Sequence, residues 1–333
     1  MDSSATCPRC FHAPLEPARC PACGLSFDRR AGVLDVLGRV ERETRAQEVE
    51  AFYSVSPFPG YPASETAGSL LDRSRRAPFL RALDAALPSD ARVVDIGAGT
   101  SQLAAFLALA APRRQVFAVD GCAASLLCAD AFRARVGIPN LTLVRADIFD
   151  LPLAPGSFAY VISRGVVHHT PDPDEATRRV ARCVAPGGTL MLGFYETWAR
   201  AFHCTRRTLG RIVGKPIAAL DPLLRARDMD PDKRRVWIDD QYRHPLEHIL
   251  ALPRVRRVLA EQDFEWVRSV PPLSAGLERV EGGASGAPRG LFRAEPAPGK
   301  LAETALRTGW MLAGPRDPDA GLVCVIARRQ ART

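Results

Sequence analysis

The chain has 333 residues, 47% of them hydrophobic and 25% charged, with a formal net charge of +8. That length accommodates one large α/β domain with additions, or two modest domains, and excludes a small scaffold that depends on staples. No apolar run is long enough to cross a bilayer, and the opening MDSSATCPRC lacks the basic start and apolar stretch of a secretory signal, so a cytoplasmic protein with no membrane partner is expected.

Residues 1–37 form the first unit. Four of the nine cysteines are gathered there as CPRC and CPAC, Cys7, Cys10, Cys20 and Cys23, while the other five are scattered among apolar neighbours. Two Cys-x-x-Cys turns separated by nine residues present four sulfurs to one tetrahedral ion, and four ligands leave no open position. The pattern therefore points to structural zinc rather than disulfides or a catalytic metal.

Residues 38–91 read as a connector and a helical cap: a charged stretch at 39–50, an aromatic and Pro/Gly-rich loop at 52–71 containing Tyr53 and Tyr61, and one helix over 72–87. From 92 to 333 the pattern changes to short β-rich runs alternating with helices. Strands are predicted at 92–96, 115–120, 141–147, 158–164 and 189–194, with helices at 103–110, 122–135 and 175–184 between them. Repeated βα units of this length imply a parallel sheet with helices on both faces. An insertion at 197–243 follows, then a helix at 245–262, a strand at 264–270, a helix near 300–312 and a last strand at 321–328.

The first strand ends in VVDIGAGTSQ, placing Asp95, Gly97, Ala98 and Gly99 at the turn into a helix, where glycines let backbone amides approach a ligand. A dinucleotide fingerprint would put its third glycine at position 102, which is Gln102. The turn instead resembles motif I of the Rossmann-like class I S-adenosylmethionine-dependent methyltransferases (methyltransferase type 11-like), with Ser101 in place of the third motif glycine. The resemblance runs from about residue 52 to 328 and implies a seven-stranded sheet whose last strand is antiparallel. It further implies that Asp120 receives the ribose hydroxyls of S-adenosylmethionine, and that Asp147 and Ile148 hold the adenine. Ser163, at the end of the fourth strand in SRGVVHHTPDP, joins this cofactor set. The stretch following CPAC, CGLSFDRRAGVLDVL, is similar to zinc-ribbon modules that precede several bacterial methyltransferases, including enzymes of ribosomal RNA.

Methyl transfer needs alignment of a nucleophile and exclusion of water, with a base only when that nucleophile is protonated. His168 and His169, just past the fourth strand, are the candidate catalytic residues, one of them as a base near neutrality; the alternative is that they only pack and hydrogen bond. The 197–243 insertion carries eleven basic and six acidic side chains interspersed with Trp198, Phe202, Trp237 and Tyr242, and reads as a lid. Acids among its basic residues interrupt any phosphate-tracking groove, so a small-molecule acceptor is expected rather than RNA. The alternatives are an RNA methyltransferase using the ribbon and the basic lid, or a noncatalytic cofactor-binding protein. A protein partner of the cysteine module is compatible with either.

Overall fold

The computed structural model describes residues 6–13, 15–37, 60–213, 244–271, 290–297, 299–313 and 321–331, with single positions and pairs between 48 and 54 and between 221 and 242. The predicted connector at 39–50, Tyr53 and Trp237 lie largely or wholly outside the described residues.

One sheet organises the chain. Its strands are β1 (Asp28–Arg30), β2 (Val33–Asp35), β3 (Arg92–Ile96), β4 (Gln115–Asp120), β5 (Leu141–Arg145), β6 (Phe158–Arg164), β7 (Val184–Tyr195), β8 (Phe264–Val270) and β9 (Leu322–Arg329). Their spatial order is β1-β2-β5-β4-β3-β6-β7-β9-β8. From β2 to β7 neighbouring strands are parallel, and β9 runs antiparallel between β7 and β8, as the family resemblance implies for the last strand.

The strand count differs from the expected seven because the cysteine module contributes two. Its β1–β2 hairpin extends the sheet at the β5 edge, with Val33, Leu34 and Asp35 in register with Leu143, Val144 and Arg145. A parallel strand whose neighbour is missing leaves a row of backbone groups unpaired, and the hairpin supplies those partners. On the module's other side Phe11 packs its ring edge-on against Phe117 and Phe158, at centroid distances of 5.8 and 5.3 Å, under the guanidinium of Arg92.

The helices are α1 (Ala67–Arg76), α2 (Pro78–Ala86), α3 (Gln102–Ala110), α4 (Ala123–Val136), α5 (Pro173–Arg182), α6 (Ala201–Val213), α7 (Leu252–Ala260) and α8 (Lys300–Ala313). Successive residues of β3 face opposite cores: Val94 and Ile96 join a cluster with residues of α5 and α7, while Val93 joins one with residues of α3 and α4. Burial on both faces explains why the strands read as continuous apolar runs.

Two helix predictions fail for reasons that proline supplies. The single helix expected over 72–87 is broken at Ala77, whose backbone is extended (φ −77°, ψ 116°) because Pro78 follows, and Pro78 then opens α2. The helix expected from 245 starts only at Leu252, next to Pro253. The preceding residues stay extended because their amides are used elsewhere: His248 N donates to the His168 carbonyl at 2.8 Å and Leu250 N to that of Tyr195 at 2.9 Å.

Candidate active site

At the sheet centre the chain leaves β3 for β4 on one side and reaches β6 on the other, which opens a cleft beyond the carboxyl ends of the strands. A cavity of about 620 Å³ occupies it, and Asp95, Gly97, Ala98, Gly99, Asp120, Asp147, Ile148 and His169 all line it. Eight of the predicted site residues, drawn from four strand ends, thus share one space.

The glycine turn is fixed by its backbone and by Asp120. Gly97 adopts φ +76° and donates its amide to the Val119 carbonyl at 2.7 Å. Asp120 accepts Gly99 N on Oδ2 at 2.8 Å and Cys122 N on Oδ1 at 2.7 Å, so one carboxylate clamps the turn after β3 to the turn after β4. A carboxylate oxygen can accept more than one hydrogen bond, so a ligand hydroxyl can share these atoms. Ser101, the departure from the family's glycine, caps α3 with left-handed backbone (φ 58°), a conformation that costs a serine on the order of 1 kcal/mol. Its Oγ is buried without a hydrogen-bond partner. Asp147 accepts the Phe149 amide at 2.9 Å, which presents Ile148 to the cavity.

Burial pushes the Asp95 carboxyl up to about 7, the Asp120 charge adds to this, and Arg164 opposes it. A cationic ligand alongside would favour the ionised form, so the site is electrostatically suited to positive charge.

Two predicted residues are placed otherwise. Ser163 is fully buried, its Oγ without a hydrogen-bond partner, and the cavity is lined instead by the next three residues, Arg164, Gly165 and Val166. His168 is sealed behind the wall, with neither ring nitrogen hydrogen bonded, and burial among His169, Arg200 and His244 pushes it well below its ordinary value. It does not reach the cavity as a catalytic group. His169 does, but burial holds it down to about 3, with Arg200 and Arg207 acting in the same sense. Its Nδ1 lies 2.8 Å from the Leu246 carbonyl, which only accepts, so the proton is on Nδ1 and Nε2 carries the lone pair. The ring is a neutral hydrogen-bond acceptor, not a base poised near neutrality.

Several lining residues escape a motif reading: Glu50, Arg73, Arg164, Tyr195 and Gln241. Tyr195 was within reach of the strand-end argument, since β7 runs one residue beyond its predicted end. Gln241 comes from the insertion, where no pattern singles it out, and its Nε2 donates to the Tyr195 hydroxyl at 2.9 Å. Tyr61, in the aromatic loop, stacks on Phe132 at 4.0 Å and does not line the cavity.

The described part of the insertion is held by a buried polar network. Arg200, fully buried, lies 3.4 Å above the Tyr195 ring and donates to Gln241 and Glu247, each at 3.0 Å. Arg207 reaches the other Glu247 oxygen at 2.5 Å, and Arg206 faces Asp221 at 3.6 Å. These basic side chains are spent on internal carboxylates.

The four module sulfurs converge. Cys7, Cys10, Cys20 and Cys23 place their ligand atoms within 4.8 Å of one another, with Cys10–Cys20 at 3.5 Å and Cys7–Cys23 at 3.7 Å. A tetrahedral zinc with Zn–S bonds of about 2.3 Å sets its sulfurs roughly 3.8 Å apart, so the donor set fits such an ion.

Comparison with known proteins agrees with this geometry. Residues 94–192 match the family described as methyltransferase domain (Methyltransf_11). An uncharacterised protein of Synechococcus sp. is 29% identical over 46% of this chain and 38% of its own length. Trans-aconitate 2-methyltransferase of Deinococcus radiodurans is 35% identical over 41% of this chain and 49% of its own length. The chain thus spans less than half the length of these two relatives. The structure of PKMT2 from Rickettsia typhi, 14% identical, superposes with a TM-score of 0.53 over 77% of this chain and 54% of that one, which supports the fold. The family match thus falls on the part of the sheet that runs from β3 to β7.

Proposed function

We propose that the protein transfers a methyl group from S-adenosylmethionine to a small-molecule acceptor. The observation that carries this reading is the convergence of the Gly97–Gly99 turn, Asp120, Asp147 and Ile148 on one cavity. Bound there, S-adenosylmethionine supplies an electrophilic methyl on a sulfonium, and the chain's residues do the rest. Asp120 would receive the ribose hydroxyls, a carboxylate being the acceptor that suits two donors. Asp147 would take the adenine amino group, with Ile148 against the ring. Asp95, held up by burial, suits the cationic end of the molecule.

The acceptor side is walled by Tyr195, Gln241 and His169. His169 Nε2 orients a donor group by accepting from it, without taking its proton. Three of the insertion's described arginines favour a small molecule over RNA, because Arg200, Arg206 and Arg207 are turned onto Glu247 and Asp221. The trans-aconitate enzyme among the relatives supports the same class.

Calorimetric titration with S-adenosylmethionine and S-adenosylhomocysteine tests the cofactor. Asp120→Ala should weaken both by roughly 1 to 3 kcal/mol. Binding of NADH instead of either ligand would overturn the reading. Methyl transfer from labelled cofactor into a cell extract then tests the acceptor, with nuclease-resistant label in the small-molecule fraction expected. Label confined to RNA would reject the small-molecule acceptor, and tight cofactor binding with no label would favour a noncatalytic role.

We further propose that Cys7, Cys10, Cys20 and Cys23 hold one structural zinc ion. Elemental analysis of untagged protein should find one per chain, and none in Cys7→Ser/Cys10→Ser. Such sites contribute roughly 10 kcal/mol or more of binding free energy in isolated zinc modules, so the variant's first 37 residues should unfold. Retention of full zinc would reject the ligand assignment.

A further inference from the structure

The cysteine module touches the cavity through a continuous polar chain. Asp35, the last residue of β2, is almost fully buried, and its Oδ2 lies 3.0 Å from Arg145 Nη1 and 3.0 Å from Arg30 Nε. Arg145 ends β5 and uses its other nitrogens on the cavity side. Nη2 holds Glu50 Oε1 at 2.8 Å, and Nε donates to the Gly121 carbonyl at 3.2 Å. Glu50, Gly121 and Cys122 all line the cavity, beside the Asp120 carboxylate that receives the Cys122 amide. A guanidinium is a planar fork that can serve three acceptors at fixed angles, so what Asp35 does to its orientation is passed to the other two.

We propose that Asp35 of the cysteine module is a positioning residue for the cofactor, acting through Arg145 on Glu50 and on the Gly121–Cys122 corner. The inference rests on reading the cavity as an S-adenosylmethionine site. Without the Asp35 charge, Arg145 keeps one anionic partner among the described residues, Glu50, and is drawn toward it. The Gly121 carbonyl then loses its donor, Glu50 moves with a guanidinium that is no longer held from the module side, and the wall next to Asp120 loses its fixed geometry. Preorganised polar groups outperform mobile ones because no ordering cost is left for binding. The module thereby sets how well the cavity holds its ligand, besides completing the sheet.

Calorimetric titration of the full chain with S-adenosylhomocysteine tests this. Wild type should bind, Asp35→Asn should bind about tenfold more weakly, and Asp35→Glu should recover most of the loss. Glu50→Gln should weaken binding to a similar degree, and Asp35→Asn added to Glu50→Gln should weaken it no further, as expected when one residue acts through the other. A purely structural Asp35 would lower the melting temperature while leaving affinity measured well below that temperature unchanged. Equal affinity of folded Asp35→Asn and wild type would overturn the inference, as would losses that multiply in the double variant. If Asp35→Asn does not fold, Arg145→Lys carries the same comparison, since a point charge cannot span the three acceptors. No binding by wild type would overturn the cofactor reading and this inference with it.

Discussion

Glu247→Gln should destabilise the protein by about 3 to 5 kcal/mol, the cost of removing one partner from a buried ion pair. Glu247 is the carboxylate for two arginines, with Arg200 Nη2 on one oxygen and Arg207 Nη1 on the other. Arg200 has no exposed surface, so water cannot replace the lost charge without opening the insertion. Two of its other described contacts, the Gln241 side-chain oxygen and the Tyr195 ring, carry no formal charge. Glutamine keeps the shape of glutamate, and the experiment therefore isolates charge from packing. Asp174→Asn is the control: its pair with Arg254 is close to half solvent-accessible on the arginine side and should be worth less than about 1 kcal/mol. Urea unfolding of the two variants and wild type reads both values. Equal midpoints for Glu247→Gln and wild type would show that the network is hydrated and that the insertion is not held by it.

Gly97→Ala is the second large effect, expected at about 2 to 5 kcal/mol together with loss of cofactor binding. Two costs add. The backbone at φ +76° disfavours any side chain by about 1 to 2 kcal/mol, and a Cβ there would lie 2.2 Å from Val166 Cγ2 and 2.4 Å from its Cγ1. Val166 is β-branched and cannot turn both methyls away, so the turn or the 164–166 wall must move, at about 1 to 3 kcal/mol of overpacking. Gly137→Ala separates the terms: its φ is +72° but nothing lies within 4 Å, so it should show the backbone cost alone. If the two variants unfold at the same urea concentration and bind S-adenosylhomocysteine equally, close approach of the turn to Val166 is not what requires glycine.

The strands and the cofactor side were legible because their signals are local. Val93, Val94 and Ile96 announce a strand, and Asp95, Gly97 and Gly99 are brought to the cavity by the turn they form themselves. Asp120 and Asp147 follow from the same rule at the next two strand ends. The acceptor side was not legible, since it is assembled by pairing between distant segments: Gln241 on Tyr195, Leu246 on His169, Glu247 on Arg200. The His168–His169 pair shows the limit of reading residue type. Placement after β6 was right for both, yet one ring points behind the wall and the other is kept neutral, and only packing decides that. Likewise nothing in VLD at 33–35 states that it joins a strand more than a hundred residues away.

That pairing bears on how the chain is made. Asp35 and Arg145 are 110 positions apart, so at a synthesis rate of roughly 5 to 20 residues per second the module's hairpin waits about 6 to 22 seconds for the strand it docks on. Phe11 waits longer still, for Phe158. During that interval the four cysteines, all within the first 23 residues, can converge before the sheet exists. The short closures within the module thus come before its long-range docking on β5.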